Sequence, residues 1–181
     1  MKTTKALFLI AAIAGGVCGC RKAEVYPETP EIHFKALVMK IDGVDPLGEK
    51  MKKANLTFSF TDGDGDLGVR DTFDAASKIY CSWMKKMPDR QYETHVFPGD
   101  GVTVLTFDIP YDDNVMNKEE AFSKLLKGDM EVKLDVPYGS SSADMDTVHL
   151  EFYIVDRAFN RSNVEVTPDF SIRADSVRIE N

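Results

Sequence analysis

The sequence is poor in cysteine, in long apolar runs and in positive charge. Of its 3 Cys, Cys18 and Cys20 stand at the start, and the rest of the 181-residue chain holds Cys81 alone. A disulfide framework is therefore excluded, and stability has to come from a core. No apolar run reaches the roughly 20 residues that a bilayer-spanning helix needs. The 22 Lys and Arg face 30 Asp and Glu, a formal charge of −8 that repels phosphate backbones and argues against nucleic-acid binding. There is no internal repeat and no low-complexity tract. What remains, at 43% hydrophobic and 29% charged, is the composition of an ordinary globular domain.

The first residues read as an address. Lys2 and Lys5 supply a positive start, Ala6 to Val17 are apolar or Gly throughout, and Gly19-Cys20 follows. That pattern describes an export signal. Val17-Cys18-Gly19-Cys20 resembles the bacterial lipobox, although Leu is preferred where Val17 stands and Cys18 is an unusual second residue. The resemblance implies a signal peptide over 1–19, removed by processing, and a lipid on Cys20. Processing would take Lys2 and Lys5 away, leaving 162 residues at −10. Residues 20–31 contain Pro27 and Pro30 and no periodicity, as a tether would. The domain is expected over 32–181.

That domain reads as strands. Leu56, Phe58 and Phe60 alternate with Asn55, Thr57, Ser59 and Thr61; Ile79, Cys81 and Trp83 share a face; Val148, Leu150, Phe152 and Ile154 share another. Further runs cover 32–41, 91–97, 102–109 and 130–136, and a last pair lies near 164–166 and 170–172. Pro98-Gly99-Asp100-Gly101 carries a hairpin-turn signal. Asn117 followed by Glu120 makes a capping box, and Ala121, Phe122, Leu125 and Leu126 form a stripe ended by Gly128, so one short crossover helix is expected. Short strands with polar turns and no βαβ spacing predict an all-β, immunoglobulin-like antiparallel β-sandwich. Phe58, Phe60, Cys81, Trp83, Leu150 and Phe152 are its expected core, with Trp83 on the strand that commonly buries a Trp.

The chemistry lies in Asp62-Gly63-Asp64-Gly65-Asp66-Leu67-Gly68. Calcium takes six to eight oxygens, and Asp at alternate positions of a tight loop can aim several inward, while magnesium demands a stricter octahedron. Glycine supplies the positive φ such a loop needs. The loop resembles the first half of an EF-hand or dockerin loop, but Leu67 stands where Gly is expected and Phe73 where a bidentate Glu should sit. Asp71, Asp74 or a distant loop would have to add ligands. If residues 54–61 are strand B and 147–156 strand F, the loops after them share a pole, which nominates Asp156 beside Asp62, Asp64 and Asp66. The alternative is a pair of polar turns whose Asp side chains accept backbone N–H bonds. Packed carboxylates without a cation would repel one another, which favours Ca2+.

Phe60-Thr61-Asp62-Gly63-Asp64-Gly65-Asp66-Leu67-Gly68 together with Asp156-Arg157-Ala158-Phe159-Asn160-Arg161-Ser162-Asn163 resembles a family of small uncharacterised lipoproteins from Bacteroidota. Phe159 stands where that family has Gly. The resemblance implies an envelope lipoprotein with an immunoglobulin-like fold and brings no established activity.

Enzyme signatures are scarce. His33, His95 and His149 fall singly on three strands, and neither Gly-x-Ser-x-Gly nor His-Glu-x-x-His occurs. Asp112-Asp113 and Glu119-Glu120 suit a loop and a helix start. The expectation is therefore a non-enzymatic, outer-membrane, lipid-anchored protein with a binding or assembly role toward an envelope protein. Its membrane face is left open. The rival is a glycan-binding accessory lipoprotein of a polysaccharide-uptake system, which requires Trp83 or tyrosines such as Tyr80, Tyr92 and Tyr153 to face solvent.

Overall fold

The computed structural model describes residues 26–44, 46–48, 50–69, 77–96, 103–110, 125–136 and 146–181. Every helix or strand among them is a strand. β1 (Glu31–Val44) and β2 (Lys50–Asp62) form a hairpin, β6 (Leu126–Asp135) lies on the far side of β2, and β10 (Ser176–Glu180) on the far side of β1. The second sheet is built on β3 (Lys78–Lys86) and β7 (Thr147–Val155). β4 (Tyr92–Thr94) and β5 (Leu105–Asp108) share the outer edge of β3, while β8 (Glu165–Val166) and β9 (Phe170–Ser171) share that of β7. All these pairings are antiparallel. With β1-β2-β6 as strands A-B-E and β3-β7-β8 as C-F-G, this is the order of an immunoglobulin-like β-sandwich.

Period-two alternation puts the apolar residues between the sheets. Phe58 of β2 meets Phe152 of β7 across the layers, ring centroids 5.3 Å apart. Leu56, Cys81, Trp83 and Leu150 are fully buried around them, and Phe60 nearly so. In β1 the alternation changes phase: Ile32 and Phe34 point inward, then Leu37 and Met39. A β-bulge between Phe34 and Ala36 makes the change, leaving Lys35 as the extra residue.

Three expectations are corrected. The helix over 117–128 does not end at Gly128, because Leu126 and Gly128 belong to β6, opposite Asp62 and Phe60. The free edge of β2 offers ten ladder partners there, and Gly128 serves to make room, since a Cβ would lie 3.3 Å from the Phe60 ring. Residues 117–124, the rest of that helix, lie outside the described residues. β4 and β5, within the expected runs 91–97 and 102–109, do not pair with each other; both run antiparallel to β3, so they are two pieces of one edge and not the arms of a hairpin turning at the segment that holds Pro98. That segment, 97–102, is also outside the described residues. The last pair likewise forms one interrupted strand against β7, and β10 closes the chain.

Candidate metal centre at one pole of the sandwich

Among the described residues six strands have an end at the same pole: β1 starts there, β2 ends, β3 and β6 start, and β5 and β7 end. Asp62 is the last residue of β2 and is fully buried. Its Oδ2 accepts from the backbone N–H of Asp66 at 3.0 Å and of Leu67 at 3.2 Å, which folds the loop back on the strand. Gly65 provides the left-handed turn this needs, at φ 71°. Leu67 departs from the EF-hand pattern for a structural reason: its side chain is fully buried in the core. Gly68, at φ 96°, then donates to Ser77 Oγ at 2.8 Å.

The loop after β7 is equally constrained. Asn160 donates from its backbone N–H to Asp156 Oδ1 at 2.7 Å and from Nδ2 to Oδ2 at 2.9 Å. Ser162 Oγ accepts from Ile154 N–H. Asn163 acts as a stand-in for backbone, accepting from Ile32 N–H and donating to Ile32 O, both at 2.8 Å. Glu165 accepts from Phe34 N–H at 3.0 Å, so the two side chains complete β1 below the reach of β10. These roles of Leu67, Ser77, Asn160, Ser162 and Asn163 were missed by sequence reasoning. Small polar residues after a strand were the signal, but their partners are more than a hundred positions away in the case of Asn163.

The two loops meet through their acids. Asp66 Oδ2 accepts from Ala158 N–H at 3.0 Å, and Arg157 N–H reaches Asp66 O at 3.4 Å. Asp62, Asp66 and Asp156 each present a carboxylate oxygen within 4.8 Å of the others'. Asp64 stands outside that trio, on the same loop. Oδ1 of Asp62, of Asp64 and of Asp66 are all buried without a hydrogen-bond partner. An unsatisfied buried carboxylate oxygen is costly. Burial first, then the charge and hydrogen bond of Asp64 and the charge of Asp66, push the Asp62 carboxyl up to about 7, against the Leu67 N–H. Burial and the charges of Asp156 and Asp64 raise Asp66 as well, with the Ala158 N–H and Arg157 opposing. Asp71 and Asp74 lie outside the described residues.

The segment before β1 closes one side. Pro27 O accepts from Gly63 N–H at 3.0 Å, and a Cβ on Gly63 would fall 2.6 Å from Tyr26 O and closer still to Pro27 O. Gly63 is thus a glycine because the leading segment lies against it.

Other candidate residues sit apart from this pole's acids. Trp83 is inside the sandwich, edge-on to Phe170, and leaves no Trp platform. Tyr80 and Tyr153 stack on the outer face of the second sheet at 4.8 Å, with Arg161 over Tyr153 at 3.7 Å. His33 is exposed on β1, His95 is buried after β4, and His149 is buried on β7 against Tyr92 and Asp169. No protein-family profile, curated protein or solved structure matches the chain.

Proposed function

We propose that this is a lipid-anchored cell-envelope protein of the outer membrane, with a non-enzymatic binding or assembly role. We further propose that a calcium ion fixes the loop pole. One observation carries the cation: the fully buried Asp62, whose Oδ1 has no partner, faces Asp66 and Asp156 within 4.8 Å. A divalent cation would satisfy the orphaned oxygens and cancel the repulsion between carboxylates. Backbone carbonyls and water would complete the six to eight oxygens that calcium accepts. The anchor rests on Val17-Cys18-Gly19-Cys20. The glycan-binding alternative draws on a different surface, the stacked Tyr80 and Tyr153 with Arg161.

Thermal unfolding with excess calcium, with magnesium and with chelator tests the cation. At a hundredfold excess over Kd, binding to the native state alone adds about 2.7 kcal/mol. For a domain of this size the midpoint should rise by several degrees with calcium. Asp62→Asn keeps an acceptor for the Asp66 and Leu67 N–H groups but loses the charge, so its calcium response should vanish. Superimposable melts of the parent protein in all three solutions would reduce the acidic pole to a pair of turns.

A further inference from the structure

We infer that the loop pole is a membrane-contacting surface, seated on the bilayer that holds the lipid anchor, with Phe159 as its apolar tip. The inference rests on lipidation of Cys20. The described chain begins at Tyr26, and Tyr26 and Pro27 lie directly against Gly63 of the acidic loop. Only residues 21–25 separate that contact from Cys20. Covalent geometry limits such a stretch to about 20 Å when fully extended. The sandwich is longer than that, since β2 alone has 13 residues, or about 40 Å of strand. The anchor therefore keeps the Asp62–Asp156 pole near the headgroups and leaves the turn between β1 and β2 as the distal end.

Phe159 occupies the position where such a surface needs an apolar group. It is 78% exposed, two residues from Arg157 and three from the buried Asp156. It is held at φ 67°, a conformation that a bulky side chain adopts only under constraint. The constraint is visible: Phe159 N–H donates to Asp156 O at 3.3 Å, Ala158 N–H before it is tied to Asp66, and Asn160 N–H after it is tied to Asp156 Oδ1. The acidic loops thus present an aromatic ring to solvent at strain, in a turn that also carries Arg157. Aromatic rings with an adjacent basic residue partition into the headgroup region of anionic bilayers. A cation on the acids would remove the repulsion that the same carboxylates exert on anionic lipid.

The test uses the full lipidated chain, purified from a Gram-negative host. It is reconstituted with calcium into phosphatidylethanolamine–phosphatidylglycerol vesicles that carry bromine-labelled phosphatidylcholine. Phe159→Trp places a reporter on the pole, and Leu47→Trp places one in the distal turn, where Leu47 is 88% exposed. The parent protein, whose one Trp is the buried Trp83, supplies the background emission. The expected result is loss of most of the added emission at 159 with none at 47. Protein that floats with the vesicles yet shows equal or no quenching at the two positions overturns the inference and leaves anchoring intact. Protein that does not float overturns the anchoring reading and this inference with it.

Discussion

Phe159 shows how much a single dihedral can carry. A non-glycine residue in the left-handed region costs about 1–2 kcal/mol, while glycine adds about 0.5–1 kcal/mol of chain entropy to folding. Phe159→Gly should therefore raise stability by up to about 1.5 kcal/mol, read as a higher urea midpoint at unchanged slope. A lower midpoint would mean that the ring, although exposed, makes contacts that outweigh its strain. Gly63 and Gly128 make the opposite point. One is small because Pro27 and Tyr26 lie on it, the other because the Phe60 ring does, and neither role follows from the local sequence. Asp62 differs again. Its place at the end of an alternating run is legible, and so is its kinship with Asp64 and Asp66, but its full burial and its orphaned Oδ1 appear only once the strand ends converge at the pole.

At the scale of elements, the strands with unbroken alternation are legible and the interrupted ones are not. β2, β3 and β7 repeat apolar residues at every second position and are buried on one face, so pattern alone locates them. β8 and β9 are a single path against β7, broken at Thr167-Pro168-Asp169. Thr167 repairs the break: its N–H donates to Leu150 O at 3.0 Å, and its Oγ1 accepts from Leu150 N–H at 3.0 Å. Thr167→Val keeps the shape but leaves a buried N–H unpaired, at a cost of about 1–3 kcal/mol. Faster hydrogen exchange at the Leu150 amide, with a lower urea midpoint, is the expected signature. Unchanged exchange would show that another group takes the bond. Asp169 secures the same corner, accepting from Lys86 Nζ at 2.8 Å and from Tyr92 OH at 2.7 Å. Burial pulls its carboxyl upward, but the hydrogen bonds from Lys86, Tyr92 and His149 outweigh that and hold it below the usual range.

For the whole molecule, one core serves both sheets, and Cys81 lies in it. Burial pushes its thiol up to about 12, so the thiolate that alkylating reagents need is scarce at neutral pH. Iodoacetamide should leave Cys81 of the native protein unlabelled and modify it at a rate that tracks the population of unfolded chain, rising with urea. Labelling without denaturant, faster than the unfolded population permits, would point to local opening of the β3–β7 centre.

The sequence by itself determined the class of fold, because alternation of apolar residues dictates strands and strands with polar turns must stack into layers. It also determined which loop carries the acids, since Asp-Gly-Asp-Gly-Asp is contiguous. Tertiary structure decided what closes on that loop. Asp156 lies ninety-odd positions from Asp62, and it is because β2 and β7, running the same way in facing sheets, end at one pole that their oxygens come within 4.8 Å. Leu67 became a core plug, Gly128 a gap for an aromatic ring and Asn163 a substitute for a strand, because each answers to a partner distant along the chain. Local propensity sees only neighbours in sequence, whereas burial and hydrogen-bond satisfaction are settled between segments that meet only after the sandwich has closed.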